Sequence, residues 1–361
     1  MRIAYYAPLK SPDHPVPSGD RQMARMLKAA LELAGHEVDL ASEFRTFSVN
    51  LTADLHAAAL AEARREIARL SALWETGNKP DLWFCYHPYY KAPDLLGSAL
   101  SSRFAIPYVT AEASYSARRN TGIWAENQAR LAEMVKRAAL NICFTARDRD
   151  GLAEIAPEAR FELLPPFIDV SAFIAPPPVA DPSRLVAVGM MRPGDKMDSY
   201  RMLARALEQL GHLRWRLSII GDGACRDEVE TEFSRLPPER IEWLGERPLA
   251  EVAGLLSSAG LYVWPGCGEA YGLAYLEAQA AGLPVVAQAI AGVPEVVRHG
   301  TTGLLTPAGD VAAYAKAIER LLTDEHERQR LGAAARRFVL DERSLDAAAR
   351  HLAAILPEAR T

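Results

Sequence analysis

Strand-like and helix-like patterns alternate along nearly the whole sequence of 361 residues. The first repeat is typical: an apolar strand at residues 3–7 precedes a helix that starts near Gly19 and stops at Gly35, and residues 38–40 form the returning strand. Parallel strands need a crossover connection, which is usually a helix, so this alternation predicts parallel sheets covered by helices. The predicted fold class is therefore α/β.

A proline-rich stretch at residues 165–182 divides the alternation into two runs and is interpreted as a semi-rigid connector. The predicted domains are residues 1–170 and 183–340, and the segment 341–361 carries a last helix that could pack back on the first domain. The other predicted strands are 82–86, 108–110, 142–145 and 161–164 in the first run, and 185–189, 217–221, 241–245, 261–264 and 285–288 in the second; the closing helices are 310–323, 326–339 and 344–356.

The composition excludes several classes of protein. It is 49% hydrophobic and 24% charged, as in ordinary globular proteins, and the formal charge of −5 gives no overall attraction to nucleic acid. No segment approaches the roughly 20 apolar residues that a membrane span requires. The cysteines are scattered, with no C-x-x-C pair, which is typical of free thiols in a reducing compartment. We therefore expect a cytoplasmic protein that binds no nucleic acid.

A glycine-rich loop in the second half follows an apolar strand and leads into a helix. Its backbone amides near Tyr271, Gly272 and Leu273 would face a ligand, and the helix dipole favours negative charge there. Glu269 precedes the helix and Glu277 lies about one and a half turns into it. An isolated pair of glutamates is more often a solvated charge pair. Here the carboxylates flank an anion site, which suits hydroxyls on both sides of a sugar nucleotide's diphosphate.

A second loop, directly after the first strand of the second domain, carries Arg192 and Lys196. Ligands of open α/β sheets bind beyond the carboxyl ends of the strands, and both loops are predicted at such ends. Two fixed cations can hold a diphosphate and stabilise the charge that grows on it as the sugar bond breaks. The alternative, two loop cations in water, is common for any single Arg or Lys.

These windows and five further motifs, in combination and order, resemble the retaining glycosyltransferases of the GT-B fold, often called glycosyltransferase group one or family four. The further motifs are Ile219-Ile220-Gly221-Asp222-Gly223, Leu244-Gly245, Gly282-Leu283-Pro284-Val285-Val286, Gly292-Val293-Pro294-Glu295-Val296-Val297 and Gly303-Leu304-Leu305. The resemblance implies two Rossmann-like doubly wound domains with an interdomain cleft and C-terminal helices.

The resemblance also implies residue roles. Arg192 and Lys196 match the cations that grip the donor diphosphate, Glu269 the group that contacts the transferred sugar, and Glu277 the group that binds the ribose. The amides of residues 271–273 match the phosphate-binding helix start. Gly19 matches the glycine that lets backbone approach the donor phosphate or the acceptor. Members of the family retain anomeric configuration, need no metal and use no cofactor beyond the sugar nucleotide, which is a substrate.

The sequence departs from the family in the spacing from Arg192 to Lys196, in Met197 where a glycine is usual, and at one position that matters more. Relatives often place a histidine after the strand at 108–110, where this chain has Glu112. His87, at the end of the preceding strand, is a second candidate for the sugar or acceptor side. Its alternative interpretation is a loop histidine with a structural hydrogen bond.

The function predicted is transfer of a hexose from a nucleotide diphosphate sugar, UDP-sugar favoured, to a hydroxyl of a glycan or lipid-linked acceptor. The alternatives are a sugar-nucleotide epimerase and a non-catalytic relative that binds a nucleotide sugar. A nicotinamide dehydrogenase is disfavoured because no G-x-G-x-x-G follows the first strand of either domain. In relatives that use lipid-linked acceptors, basic patches touch anionic membranes, and three charges, Arg21, Arg25 and Lys28 on the first helix, leave such peripheral contact open here.

Overall fold

The computed structural model describes residues 1–16, 18–175 and 180–356. The chain divides into two compact units, one formed by Met1–Pro165 with the C-terminal segment from Leu345, the other by Pro166–Ser344. Part of the predicted proline-rich connector, residues 176–179, lies outside the described residues. Each unit is built on its own parallel sheet flanked by helices, which confirms the predicted fold class.

In the described part of the first unit, six parallel strands are ordered β2-β1-β3-β4-β5-β6. Their bounds are β1 Arg2–Tyr6, β2 Glu37–Ser42, β3 Leu82–Tyr86, β4 Tyr108–Ala111, β5 Leu140–Cys143 and β6 Phe161–Leu163. The helices between them are α1 Gly19–Leu33, α2 Ala53–Leu73, α3 Gly97–Phe104, α4 Trp124–Arg137 and α5 Ala146–Ala153.

The second unit has the order β12-β11-β10-β7-β8-β9 over the residues described. Its strands are β7 Asp181–Val188, β8 Arg216–Ile220, β9 Ile241–Gly245, β10 Ala259–Val263, β11 Val285–Gln288 and β12 Gly303–Thr306. Its helices are α6 Asp195–Glu208, α7 Arg226–Glu232, α8 Leu249–Ser257, α9 Leu273–Ala280, α10 Val293–Val296, α11 Val311–Thr323 and α12 Glu325–Glu342.

Burial explains why these segments form strands and helices. Every side chain of β3 and of β10 is buried, as expected for central strands with helices on both faces. In α1 the buried residues recur at helical spacing, among them Met23, Leu27 and Leu31. The last helix, α13 Leu345–Ile355, packs against α1 and so completes the first unit.

Each sheet has one point where the strand order reverses. In the second unit the chain runs from β7 outward through β8 and β9, then returns to the other side of β7 with β10. In the first unit β1 pairs with both β2 and β3, so the reversal lies between β1 and β3. Ligands of open α/β sheets bind at the carboxyl ends of the strands beside such a switch point.

The predicted strand positions agree with the structure except at one edge. β12 was not predicted as a strand, because four residues beginning with a glycine show too little period to be recognised. The structure pairs Gly303 with Val285 of β11, where a Cβ on Gly303 would stand 2.3 Å from the Val285 carbonyl oxygen. Among the described residues no helix is both long enough and apolar enough to cross a bilayer.

Candidate functional site

The two sequence windows meet at the switch point of the second sheet. Residues 189–194 follow β7, residues 264–272 follow β10, and these two strands are hydrogen-bonded neighbours, with Leu185 opposite Leu261. The carboxyl ends of neighbouring parallel strands meet at one edge, so tertiary structure brings together loops that lie about 75 residues apart in sequence.

Lys196 and Glu269 form an ion pair across this edge. The same Glu269 oxygen accepts a hydrogen bond from the Trp264 indole at 3.1 Å, and the Lys196 ammonium lies 5.4 Å from the Trp264 ring centroid. The two charged side chains are only 16% and 17% exposed. Water screens such a pair less than a surface pair, so replacing either partner leaves a poorly solvated charge.

A cavity of about 260 Å³ opens beside this ion pair. Its lining residues are Arg192, Pro193, Gly194, Asp195, Lys196, Cys267, Gly268 and Glu269. Arg192 is exposed at this cavity, and no residue in the described parts of the chain pairs with its guanidinium. The volume lies just below the ~300–1,000 Å³ usual for ligand pockets, which suits the charged centre of a ligand rather than a whole sugar nucleotide.

Two helices begin at this edge with glycine in the capping position. Gly194 caps α6 with φ 85°, Gly272 caps α9 with φ 78°, and neither helix receives a side-chain cap. The first amides of a helix have no partner within the helix, and a capping side chain normally satisfies one of them. Glycine caps therefore leave these amides available to an anion.

Residues that the sequence analysis missed hold the two loops in place. The Tyr200 hydroxyl donates to the Gly189 carbonyl at 2.7 Å, and the Tyr275 hydroxyl donates to the Trp264 carbonyl at 3.0 Å. Both tyrosines are buried in helices and follow the apolar period, so no sequence signal distinguishes them from ordinary core residues.

The Gly-Asp-Gly motif supports the first loop. Met191 N donates to the Asp222 carbonyl at 2.9 Å, and Cys225 N donates to the Met191 carbonyl at 3.0 Å. A Cβ on Gly223 would stand 2.2 Å from the Met191 carbonyl oxygen, so only glycine allows this approach. The motif therefore positions the loop that carries Arg192.

The other predicted residues of this unit lie around α9. Tyr271 and Leu273 are half-buried at its start, and Glu277 is buried along it, apart from the residues that line the 260 Å³ cavity. Burial raises the pKa of the Tyr262 phenol, and the charges of Glu269 and Glu277 raise it further. Both carboxylates therefore act on one buried hydroxyl, although only Glu269 reaches the cavity.

In the first unit the structure brings His87 and Glu112 together. Nδ1 of His87 lies 4.0 Å from a Glu112 carboxylate oxygen and 3.3 Å from Asp20 Oδ1, a partner that the sequence analysis did not identify. Gly19 is the first residue of α1, and among the residues that the structure describes, its chain neighbours aside, none has an atom within 4 Å of the place where its Cβ would stand. The role that the resemblance implies for Gly19 stays a prediction.

The basic residues of α1 are engaged locally. Arg21 donates to the His14 carbonyl at 2.9 Å, Arg25 donates to the Pro12 carbonyl at 2.6 Å, and Lys28 pairs with Glu32 one turn along the helix. These charges hold the loop before α1 and the helix itself. Contact with a membrane stays a prediction.

Some larger cavities lie elsewhere, among them one in each unit at the opposite edge of its sheet. One of about 400 Å³ is lined by residues 105–108 at the start of β4, and one of about 530 Å³ by Arg184, Arg216 and Glu242 near the starts of their strands. Ligands of parallel sheets bind at the carboxyl ends of the strands, so we assign the chemistry to the smaller cavity.

The chain has relatives and structural neighbours that span both units. Residues 182–324 match the family of glycosyl transferases, group 1. A D-inositol 3-phosphate glycosyltransferase of Frankia alni is 27% identical, over 72% of this chain and 71% of the relative.

Two solved structures show the same fold. Sucrose-phosphate synthase of Thermosynechococcus elongatus has a TM-score of 0.76 at 19% identity, covering 98% of both chains. HepE of Anabaena in complex with UDP has a TM-score of 0.75 at 17% identity, covering 98% of this chain and 99% of that one. HepE has also been solved with UDP and glucose, and with UDP-glucose.

The family match covers the unit that carries the Lys196–Glu269 pair, and the relative extends the likeness over most of the chain. The chain is a glycosyltransferase, and its second unit is similar to group 1 of these enzymes.

Proposed function

We propose that this glycosyltransferase transfers a hexose from a UDP-sugar to a hydroxyl of a glycan or lipid-linked acceptor, with retention of configuration and without a metal. The donor diphosphate binds at the switch point of the second unit, between Arg192, Lys196 and the glycine-capped starts of α6 and α9. Glu269 meets the hydroxyls of the transferred sugar, and Glu277 those of the ribose.

The observation that carries the proposal is the Lys196–Glu269 pair on a cavity that Arg192 also lines. Without a donor, Glu269 neutralises Lys196. A diphosphate attracts Lys196 more strongly than one carboxylate does, and the exchange leaves Glu269 free to accept hydrogen bonds from sugar hydroxyls. The same residues thus supply a cation for the phosphates and a carboxylate for the sugar.

Transfer breaks the bond between the anomeric carbon and the diphosphate oxygen, which keeps the electron pair. Lys196, Arg192 and the helix amides stabilise the charge that develops on that oxygen. The acceptor hydroxyl attacks from the face that the leaving group vacates, and its proton passes to a phosphate oxygen. This route forms one bond for each bond broken and retains the configuration.

UDP is the favoured nucleotide because HepE, with the same fold, binds UDP and UDP-glucose. The relative from Frankia alni is named for an inositol phosphate acceptor. An inositol phosphate carries free hydroxyl groups, and UDP-glucose is a sugar donor. These two compounds support transfer of a sugar to a hydroxyl, and the acceptor is to be found by experiment.

The test is incubation of the full chain with UDP-glucose, UDP-galactose, UDP-N-acetylglucosamine and GDP-mannose, with and without EDTA. Release of the nucleoside diphosphate or transfer to an added acceptor, unaffected by EDTA, is expected for at least one donor. NMR of the product reports the anomeric configuration. Isomerised donor without transfer would identify an epimerase, and binding without turnover would identify a non-catalytic relative.

The site assignment has a separate test, the affinity for UDP by calorimetry. Lys196→Gln should weaken UDP binding because it removes a cation from the phosphates. Glu269→Gln should leave UDP binding unchanged or tighter, since it releases Lys196, yet it should lower transfer. Glu228→Gln, an exposed carboxylate on α7, is the matched control. Equal affinities in all variants would refute the assignment.

A further inference from the structure

Three titratable side chains meet at the carboxyl edge of the first sheet. Asp20 lies in the first turn of α1, His87 directly follows β3, and Glu112 directly follows β4. Nδ1 of His87 faces both carboxylates, at 3.3 Å from Asp20 and 4.0 Å from Glu112. Within the described residues this cluster is not a metal-binding group.

The cluster lies at the switch point of this sheet. Asp20 follows β1 through the β1–α1 loop, His87 follows β3, and β1 pairs with β3 where the strand order reverses. This is where open α/β sheets bind ligands, whatever their chemistry. The position therefore points to a ligand independently of the residues that occupy it.

The backbone at two of these residues is strained. His87 and Glu112 both have φ 56°, in the left-handed region that side chains with a Cβ rarely adopt. Their amides still continue the sheet, since His87 N donates to Ala111 O and Glu112 N donates to Ile142 O, each at 2.8 Å. Strain of this kind persists where the surrounding structure enforces it, and it concentrates at functional sites.

The histidine ring is oriented by its surroundings. Nδ1 of His87 is buried, whereas the side chain as a whole is 20% exposed. The solvent-accessible part of the side chain therefore lies away from Nδ1 and includes Nε2. Tyr86 and Tyr89 lie at 5.7 Å and 5.3 Å from the ring centroid and limit its rotation.

The charges that face the ring come from three elements. Burial lowers the pKa of His87, but the carboxylates of Glu112 and Asp20, with Asp148 of α5 further away, outweigh burial and raise it. Partial burial of Asp20 disfavours its charged form and so raises its pKa. The neighbouring His87 and Lys10 outweigh this effect and lower the pKa of Asp20 below the usual value. The carboxylates therefore favour the imidazolium.

We propose that Asp20 and Glu112 are positioning residues that hold His87 with Nδ1 inward, so that Nε2–H of His87 donates a hydrogen bond to a sugar hydroxyl oxygen bound at this edge. The nature of that ligand rests on the proposed function. The arrangement of the three side chains does not.

The first experiment needs no transfer activity. His87 Cε1–H is followed by NMR through a pH titration of the full chain, with His87→Gln to identify its signal among the eight histidines. We expect His87 to titrate above the ordinary value of about 6.5, and Asp20→Asn and Glu112→Gln each to lower that midpoint. A midpoint at or below 6.5, or one that neither variant moves, would overturn the proposal.

The second experiment is the pH profile of transfer. The charged form of His87 is the donor, so the rate should fall as the pH rises through its pKa. His87→Gln should abolish this alkaline limb, Asp20→Asn should move it to lower pH by the shift seen in NMR, and Asp20→Glu should restore it. Asp13→Asn, an exposed carboxylate of the same loop, is the control.

A role confined to folding predicts a different result. Asp20→Asn and His87→Gln would then lower the rate by one factor at every pH, and this outcome would refute the proposal. A rise in KM for the acceptor in His87→Gln would assign the hydrogen bond to the acceptor, and a rise in KM for the donor would assign it to the transferred sugar. If the chain transfers no sugar, the proposed function fails while the NMR titration still decides the arrangement.

Discussion

The two units place their ligand-facing groups at the same point of the fold but equip it differently. Beside β7 and β10 stands a lysine–glutamate pair with two glycine-capped helices. Beside β1 and β3 stands a histidine between two carboxylates, and α1 is capped by Ser18, whose hydroxyl accepts from Arg21 N at 3.2 Å.

The two units differ chiefly in which group accepts hydrogen bonds from the first amides of the helix. A serine cap occupies one of them with its own oxygen, whereas a glycine cap leaves them to a ligand. The second unit therefore offers helix amides without a side-chain cap, which suit an anion. The first unit has a histidine and carboxylates, which can donate hydrogen bonds to hydroxyls and accept hydrogen bonds from them. In the proposed function the switch point determines where a ligand binds, and the capping and charged residues determine which ligand.

The largest effect that would separate the two units is expected from Lys196→Ala. Loss of the cation removes stabilisation of the leaving diphosphate, and transfer should fall roughly 10²- to 10³-fold. Steady-state kinetics with saturating acceptor measures the loss. Lys316→Ala, an exposed lysine on α11 of the same unit, should leave the rate unchanged. A loss of less than threefold for Lys196→Ala would remove Lys196 from the site.

A smaller effect tests the role of the glycine cap. Gly194→Ser should place a hydroxyl over the amides of α6 and lower UDP affinity about fivefold more than Gly194→Ala, since a capping bond contributes about 1 kcal/mol. Both variants share the strain of φ 85°, so their difference isolates the cap. Calorimetry with UDP decides it, and equal affinities would show that these amides do not bind the donor.

The serine cap in the first unit should behave as a structural feature. Ser18→Ala should lower the free energy of unfolding by about 1 kcal/mol without weakening UDP binding, because the hydroxyl serves only the helix. Urea unfolding and UDP calorimetry on one preparation measure both quantities. Weaker UDP binding in Ser18→Ala would contradict the contrast between the units.

The smallest effect concerns the pH dependence of stability. The pKa of Asp20 is lowered in the folded chain, so the contribution of Asp20 to stability is lost as the pH falls below about 4. The pKa of His87 is raised, so the contribution of His87 to stability is lost as the pH rises above about 6.5. Asp20→Asn should therefore destabilise the chain most near pH 5, by about 0.5 kcal/mol because Asp20 is 41% exposed, and little at pH 9. Urea unfolding at both values, with Asp13→Asn as control, tests this sign; a larger loss at pH 9 would reverse it.

The sequence by itself predicted the α/β class, nearly all strands and the loops that carry Arg192, Lys196 and Glu269. Hydrophobic periodicity and the positions of glycines are local properties of the sequence. They predict helices, strands and turns correctly because each helix and strand must bury its own apolar face. Where the period was too short, as at Gly303, a strand was missed.

Only the tertiary structure decided which of these groups meet. The pairing of β7 with β10 brings Lys196 to Glu269, and the pairing of β1 with β3 brings Asp20 to His87. Residues such as Tyr200 and Tyr275 had no sequence signal, because a side chain that anchors a loop looks like any other core residue until its hydrogen-bond partner is known. Strand order is a long-range property of the packed chain, and it lies outside the reach of any local pattern.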